Sequence, residues 1–112
     1  MAQTFKSVNY EAADVLAWTS IYTAPSNVGD TSIALGLQFA NTGVTSAKVG
    51  ARLIDASTSA SPAFAQNIDI PVGTALNVIA GKLVLEASDE IEIKNDVVSN
   101  ISAILSVLEI TV

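Results

Sequence analysis

The chain contains no cysteine and no histidine. Without cysteine there is neither a disulfide framework nor a thiolate metal site. Without histidine it lacks the side chain most often used as a general base and metal ligand near neutral pH. Charge is also scarce: 14% of the 112 residues are charged, against about a quarter in an ordinary soluble domain. The five basic residues, Lys6, Lys48, Arg52, Lys82 and Lys94, are scattered, and the formal net charge is −6. A nucleic-acid binder needs a basic stripe to neutralise phosphates, and this chain would be repelled by them. The same repulsion weighs against docking on anionic lipid. Long apolar runs are missing too. Gly, Ser, Asp or Lys interrupts every stretch well short of the ~18 residues a membrane span requires. The opening Met-Ala-Gln-Thr-Phe-Lys has no apolar signal-peptide segment. The expectation is a product that stays in the compartment where it is made, without nucleic-acid or membrane partners.

What the chain has in quantity is small and aliphatic residues, half of all positions being hydrophobic. The length is that of one domain, able to bury roughly two-thirds of the surface its unfolded chain exposes. Low charge combined with many Ala, Ser, Thr and Val residues points to a domain that covers part of its surface with partners.

The dominant pattern is period two, which places alternate side chains on opposite faces of a strand. Ile33, Leu35, Leu37 and Phe39 alternate with Ala34, Gly36, Gln38 and Ala40. Val49, Ala51 and Leu53 alternate with Lys48, Gly50 and Arg52, and Ile91 and Ile93 with Glu90, Glu92 and Lys94. Leu76 and Val78 lead to Ala80-Gly81-Lys82, a hairpin signal before Leu83 and Leu85. The run from Ile101 to Val112 is apolar on both faces apart from a few positions, which reads as a strand central in its sheet. Turn residues fall between these runs, as at Pro25 to Asp30, Asn41-Thr42-Gly43 and Pro71-Val72-Gly73. Residues 56–63 form a small-residue loop. No window sustains a helical apolar stripe for three turns. Only Glu11 to Trp18 favours a helical turn, with Asn9 as a possible N-cap, before a strand over residues 16–23. The fold class expected is all-β, a single β-sandwich or jelly-roll-like domain of about seven to eight antiparallel strands. Residues 15–112 make the sandwich. Residues 1–14 are an N-terminal arm or an edge strand, the strand running over residues 4–9.

Motifs that carry chemistry are missing. There is no Gly-x-Ser-x-Gly elbow, no Ser-x-x-Lys arrangement and no glycine-rich phosphate loop. The local acidic supply is Glu86, Asp89, Glu90 and Glu92. A carboxylate pair can cleave a glycosidic bond, but strand alternation alone puts Glu90 and Glu92 on one solvated face. Calcium binding around Asp89 lacks the Asp-x-Asp-x-Asp-Gly loop that would support it. No catalytic residue, metal site or cofactor is therefore expected. The aromatic residues Phe5, Tyr10, Trp18, Tyr22 and Phe64 are the candidate interface, because aromatics dominate cores and contact surfaces.

Several phrases resemble short virion proteins of tailed bacteriophages. They are Ile21-Tyr22-Thr23-Ala24-Pro25 before a turn, the strand Leu35 to Asn41, Ile70-Pro71-Val72-Gly73, Gly81-Lys82-Leu83-Val84-Leu85 with Asp89 following, and the closing Ser106-Val107-Leu108-Glu109-Ile110. The resemblance covers residues 20–112. It implies a non-enzymatic virion structural protein, a capsid decoration (cement) protein that binds the assembled head. Its partners would be the major capsid protein or other virion proteins, and its own copies in a homo-oligomer, expected as a trimer. It implies synthesis in the host cytoplasm and a place on the outer surface of the virion, which suits the negative charge. The alternatives are a neck or tail accessory, or a small receptor- or carbohydrate-binding fibre module.

Overall fold

The computed structural model describes residues 2–11, 17–79, 81–96 and 101–112, and every regular element among them is a strand. In chain order these are β1 (Ala2–Glu11), β2 (Thr19–Thr23), β3 (Thr31–Asn41), β4 (Ala47–Ile54), β5 (Ala63–Ile70), β6 (Ala75–Asn77), β7 (Leu83–Glu86), β8 (Glu90–Asn95) and β9 (Ile101–Thr111). They form two antiparallel sheets. In the five-stranded sheet β9 lies between β1 and β3, and both β6 and β7 pair with the far side of β3. The four-stranded sheet runs β2-β8-β4-β5. Leu37, Phe39, Leu85, Leu105 and Val107 from the first sheet meet Val49, Ile70 and Ile91 from the second in the core. Burying these side chains is the main favourable term holding the layers together, about 1.5–3 kcal/mol each.

β6 meets β3 at residues 38–40 and β7 meets it at residues 31–34, in the same direction. They act as one interrupted strand. Counted so, the nine elements reduce to eight, in which first pairs with last, second with seventh, third with sixth and fourth with fifth. This is one long hairpin rolled into two sheets, the jelly-roll arrangement. The expected all-β jelly-roll-like sandwich is thus the fold observed.

Turn chemistry closes the rolled hairpin. The Asp30 N–H donates to the Asn27 carbonyl at 2.9 Å and the Thr74 N–H to that of Pro71 at 3.2 Å. Each turn carries a glycine at positive φ, Gly29 at 93° and Gly73 at 77°, a backbone region that glycine enters without steric cost. Asn41 fixes the far end of β3. Its amide donates to the carbonyls of Thr45 and Ile70, and its side-chain oxygen accepts from the Gly43 N–H.

Three expectations change. First, Leu76 and Leu83 do not belong to a hairpin, because β6 and β7 both pair with β3 and not with each other. Second, the alternation in β3 is broken by a register shift between Ala34 and Gly36. One extra residue there reverses the phase, so Ser32 and Ala34 are buried before it and Leu37 and Phe39 after it. Ile33 and Leu35, expected beside Leu37 in the core, lie on the opposite face. Third, the strand placed at residues 16–23 is observed as Thr19–Thr23. Residues 12–16 of the helix-prone segment lie outside the described residues.

Candidate interaction surface

Register across the five-stranded sheet assembles an apolar row on its outer face. Phe5 of β1 stands opposite Leu108 of β9, Leu108 opposite Ile33 of β3, and Ile33 opposite Val84 of β7. The row crosses the whole sheet. Leu35, raised by the bulge, and Ile104 add to it beside a shallow groove that Gly36, Gln38, Asn77 and Ser106 complete. Exposure is substantial: 74% for Phe5, 56% for Val84, 49% for Ile104 and 38% for Leu35. The flanking residues are Ser, Thr, Gln and Asn. Among the described outward side chains of this face the charged one is Glu86, at the rim opposite Thr31.

The bulge that creates this face is held by a side chain. The Asn77 carbonyl oxygen accepts from the N–H groups of Leu37 and Ile79, both at 3.1 Å. It supplies the acceptor that a continuous edge strand would have given to Leu37. A Cβ added to Gly36 would stand 3.4 Å from the Asn77 amide.

The outer face of the four-stranded sheet is its electrostatic opposite. Lys48 stands across from Asp69, Arg52 from Glu92 and Ile54 from Glu90. Arg52 reaches one Glu92 oxygen with both Nε, at 2.7 Å, and Nη2, at 2.6 Å. The same guanidinium lies 4.4 Å from the centre of the Trp18 ring, and the Lys94 ammonium 6.0 Å from it. The indole lies over Gly50, where an added Cβ would come within 3.1 Å of the ring. Trp18 is therefore half-buried under its own chain's cations, an arrangement unlike an open platform for sugar stacking.

Tyr22 joins the two sheets through the core. Its hydroxyl donates to Glu109 Oε2 at 2.5 Å and lies 3.0 Å from Ser32 Oγ. The second Glu109 oxygen faces the Lys6 ammonium at 3.2 Å. Burial, followed by the hydrogen bond to Glu109, pushes the Tyr22 phenol up to about 12.

The five aromatic residues expected at an interface are thus not brought together. Phe5 lies on the apolar outer face. Trp18 lies on the charged outer face. Tyr10 and Phe64 are partly buried against the core. Tyr22 is a core residue at 8% exposure, a correction that follows from its buried polar partners. The residues that do form a surface, Ile33, Leu35, Val84, Ile104 and Leu108, are aliphatic. Their signal in the sequence was the doubly apolar closing strand, where Ile104, Leu108 and Ile110 alternate with core residues.

The acidic cluster is mainly structural. Asp89 is buried, its two carboxylate oxygens accepting from the N–H groups of Ala56, at 3.0 Å, and Glu86, at 2.9 Å. Glu92 is taken by Arg52. Among the described residues no group of three acidic side chains gathers to hold a metal ion.

No protein-family model and no curated protein matches this chain. Solved structures do match its fold. A chain of the T13 particle of infectious bursal disease virus superposes with a TM-score of 0.61 at 13% identity, over 96% of this chain and 30% of that one. The Gx strain of the same virus gives 0.60 at 14% identity, over 96% and 32%. A chain of the Bacillus endospore appendages, described as disulfide-linked pili, gives 0.58 at 14% identity, over 99% and 88%. This chain thus spans about a third of the viral chains and most of the pilus chain. At such identities the likeness is one of fold.

Proposed function

We propose that this protein is a non-enzymatic structural subunit of a virus particle, a decoration protein that binds and stabilises the assembled head of a tailed phage. The observation that carries the reading is the division of its surface. One sheet face is apolar and almost uncharged, while the other is covered with charge. A soluble domain exposes a broad apolar sheet face when that face has a partner. The sequence resemblance to phage virion proteins supports the same reading, as does a jelly-roll fold shared with virus-particle chains. The mechanism is physical. Many identical copies bind across seams between shell subunits, and because they bind only the closed shell they stabilise it by RT ln(1 + [L]/Kd) per site. The charge of −6 favours the outside of the shell, away from packaged DNA.

The test is to add the purified protein to phage shells that lack it. Co-sedimentation with a raised shell melting temperature is the expected result. Protein found by negative stain only at the tail would remove the capsid assignment. A second reading, a subunit of a fibre or appendage, is favoured by the match along 88% of the pilus chain. It predicts filaments of the purified protein. With no cysteine in this sequence, contacts between such copies would be non-covalent.

A further inference from the structure

We propose that the apolar outer face of the five-stranded sheet is a contact between two copies of this chain, packed face to face about a two-fold axis. The inference deepens the structural reading above by naming the partner of that face.

Charge is the first argument. At −6, each copy repels every other. That repulsion is weakest where the contact face carries little charge: among the described residues the register leaves only Glu86, opposite Thr31, and Glu11, opposite Ser102 at the end of β1, both at its rim. A foreign partner is commonly selected by complementary charge, and this face offers almost none to select with.

Chemistry is the second. Ser7 and Ser106 face each other in the register between β1 and β9, and Gln38 faces Asn77 between β3 and β6. The serine hydroxyls and the Gln38 amide both donate and accept, and the Asn77 NH2, whose oxygen is taken by Leu37 and Ile79, still donates, so each can bond to an acceptor on the second copy. A carboxylate or ammonium could not bond to its own symmetry copy. An isologous interface requires such self-complementarity.

Area is the third. Four strand lanes at about 4.8 Å and eleven residues of β9 at about 3.4 Å give a face of roughly 700 Å². A stable interface of standard size takes about 800 Å² from each partner. Two twisted sheets packed in this way would sit about 10 Å apart with their apolar rows interleaved.

The experiment is light scattering on the full chain over a range of micromolar concentrations, at low and high salt. The expected mass is twice that of the 11.5 kDa chain, with the paired fraction rising with salt as the mutual repulsion is screened. Val84→Glu and Ile104→Lys, each on an exposed position, should weaken pairing at least about 100-fold by burying an uncompensated charge. They should leave circular dichroism unchanged. Val28→Lys and Val44→Lys, on exposed loop positions away from the face, should not weaken pairing. A single-chain mass throughout overturns the inference, and so does a trimer, because a face meets itself only in pairs. Shell binding separates this inference from the wider reading. A dimer that ignores shells keeps the pairing and sinks decoration. A monomer whose shell binding is abolished by Val84→Glu gives the face to the shell and overturns the pairing.

Discussion

The hydroxyl of Tyr22, on the four-stranded sheet, donates to the carboxylate of Glu109, on the five-stranded sheet, across 2.5 Å of buried space. Lys6 neutralises the far oxygen of that carboxylate, and Ser32 meets the hydroxyl. The bond fixes how the sheets sit on one another in a core where most other contacts are non-directional.

Tyr22→Phe removes this link and leaves a buried carboxylate short of a donor. The expected cost is about 2 kcal/mol, the scale for a buried hydrogen bond to a charged acceptor. Urea denaturation should show a lower midpoint at unchanged slope. A midpoint equal to that of the wild type would mean that the bond contributes nothing net.

Alkaline pH should reveal the same residue. The unfolded phenol ionises around its ordinary value of 10.0, while the folded one holds its proton to about 12. Below 10 both states are protonated and the contribution is fully present. Between 10 and 12 the unfolded chain releases a proton that the folded chain keeps, so stability falls as pH rises. Comparing denaturation of wild type and Tyr22→Phe through this window should show the decline flattened in the variant. A late phenolate absorbance phase should disappear with it.

Asn77→Ala should release the Leu37 amide at the bulge. Losing the acceptor for two N–H groups predicts a cost of about 1–3 kcal/mol and faster hydrogen exchange at Leu37. Asn77→Asp keeps an acceptor and should recover most of the protection. Equal exchange in wild type and Asn77→Ala would show that another group holds the bulge.

Gly50→Ala tests the seat of Trp18. The added methyl would lie 3.1 Å from the indole and 3.3 Å from the Ala65 carbonyl, a backbone atom that gives little. The ring should lift away from Arg52 at a cost of about 1–2 kcal/mol. Emission from the single tryptophan should shift to the red. An unshifted spectrum would place the ring elsewhere.

The strands and turns were legible in the sequence because period-two alternation and turn residues are local signals. Val49, Ile91 and Ile93 went to the core as their alternation requires. The contribution of β3 to the apolar outer face was not legible, for a physical reason visible at Leu35. A bulge changes which face a residue occupies without changing the alternation of the letters, and Ile33-Ala34-Leu35-Gly36-Leu37 reads as one unbroken pattern. The acceptor that stabilises the bulge, Asn77, is 40 residues away from Leu37. The broken partnership of β6 and β7 was hidden likewise, since Gly81 at a φ of 85° looks locally like a hairpin tip. Tyr22 was misplaced because aromatic character marks cores and interfaces alike, and only its link to Glu109, 87 positions later, decides between them.

The pairing of β1 and β3 with β9 makes the apolar outer face depend on one strand. Ala2 sits opposite Thr111, and β9 is the strand that connects β1 to β3. A chain lacking β9 has nothing to join Phe5 to Ile33, so the apolar row does not exist until β9 is in place. Such long-range closure is slow compared with local hairpins. A copy without β9 therefore lacks the face through which pairing is proposed.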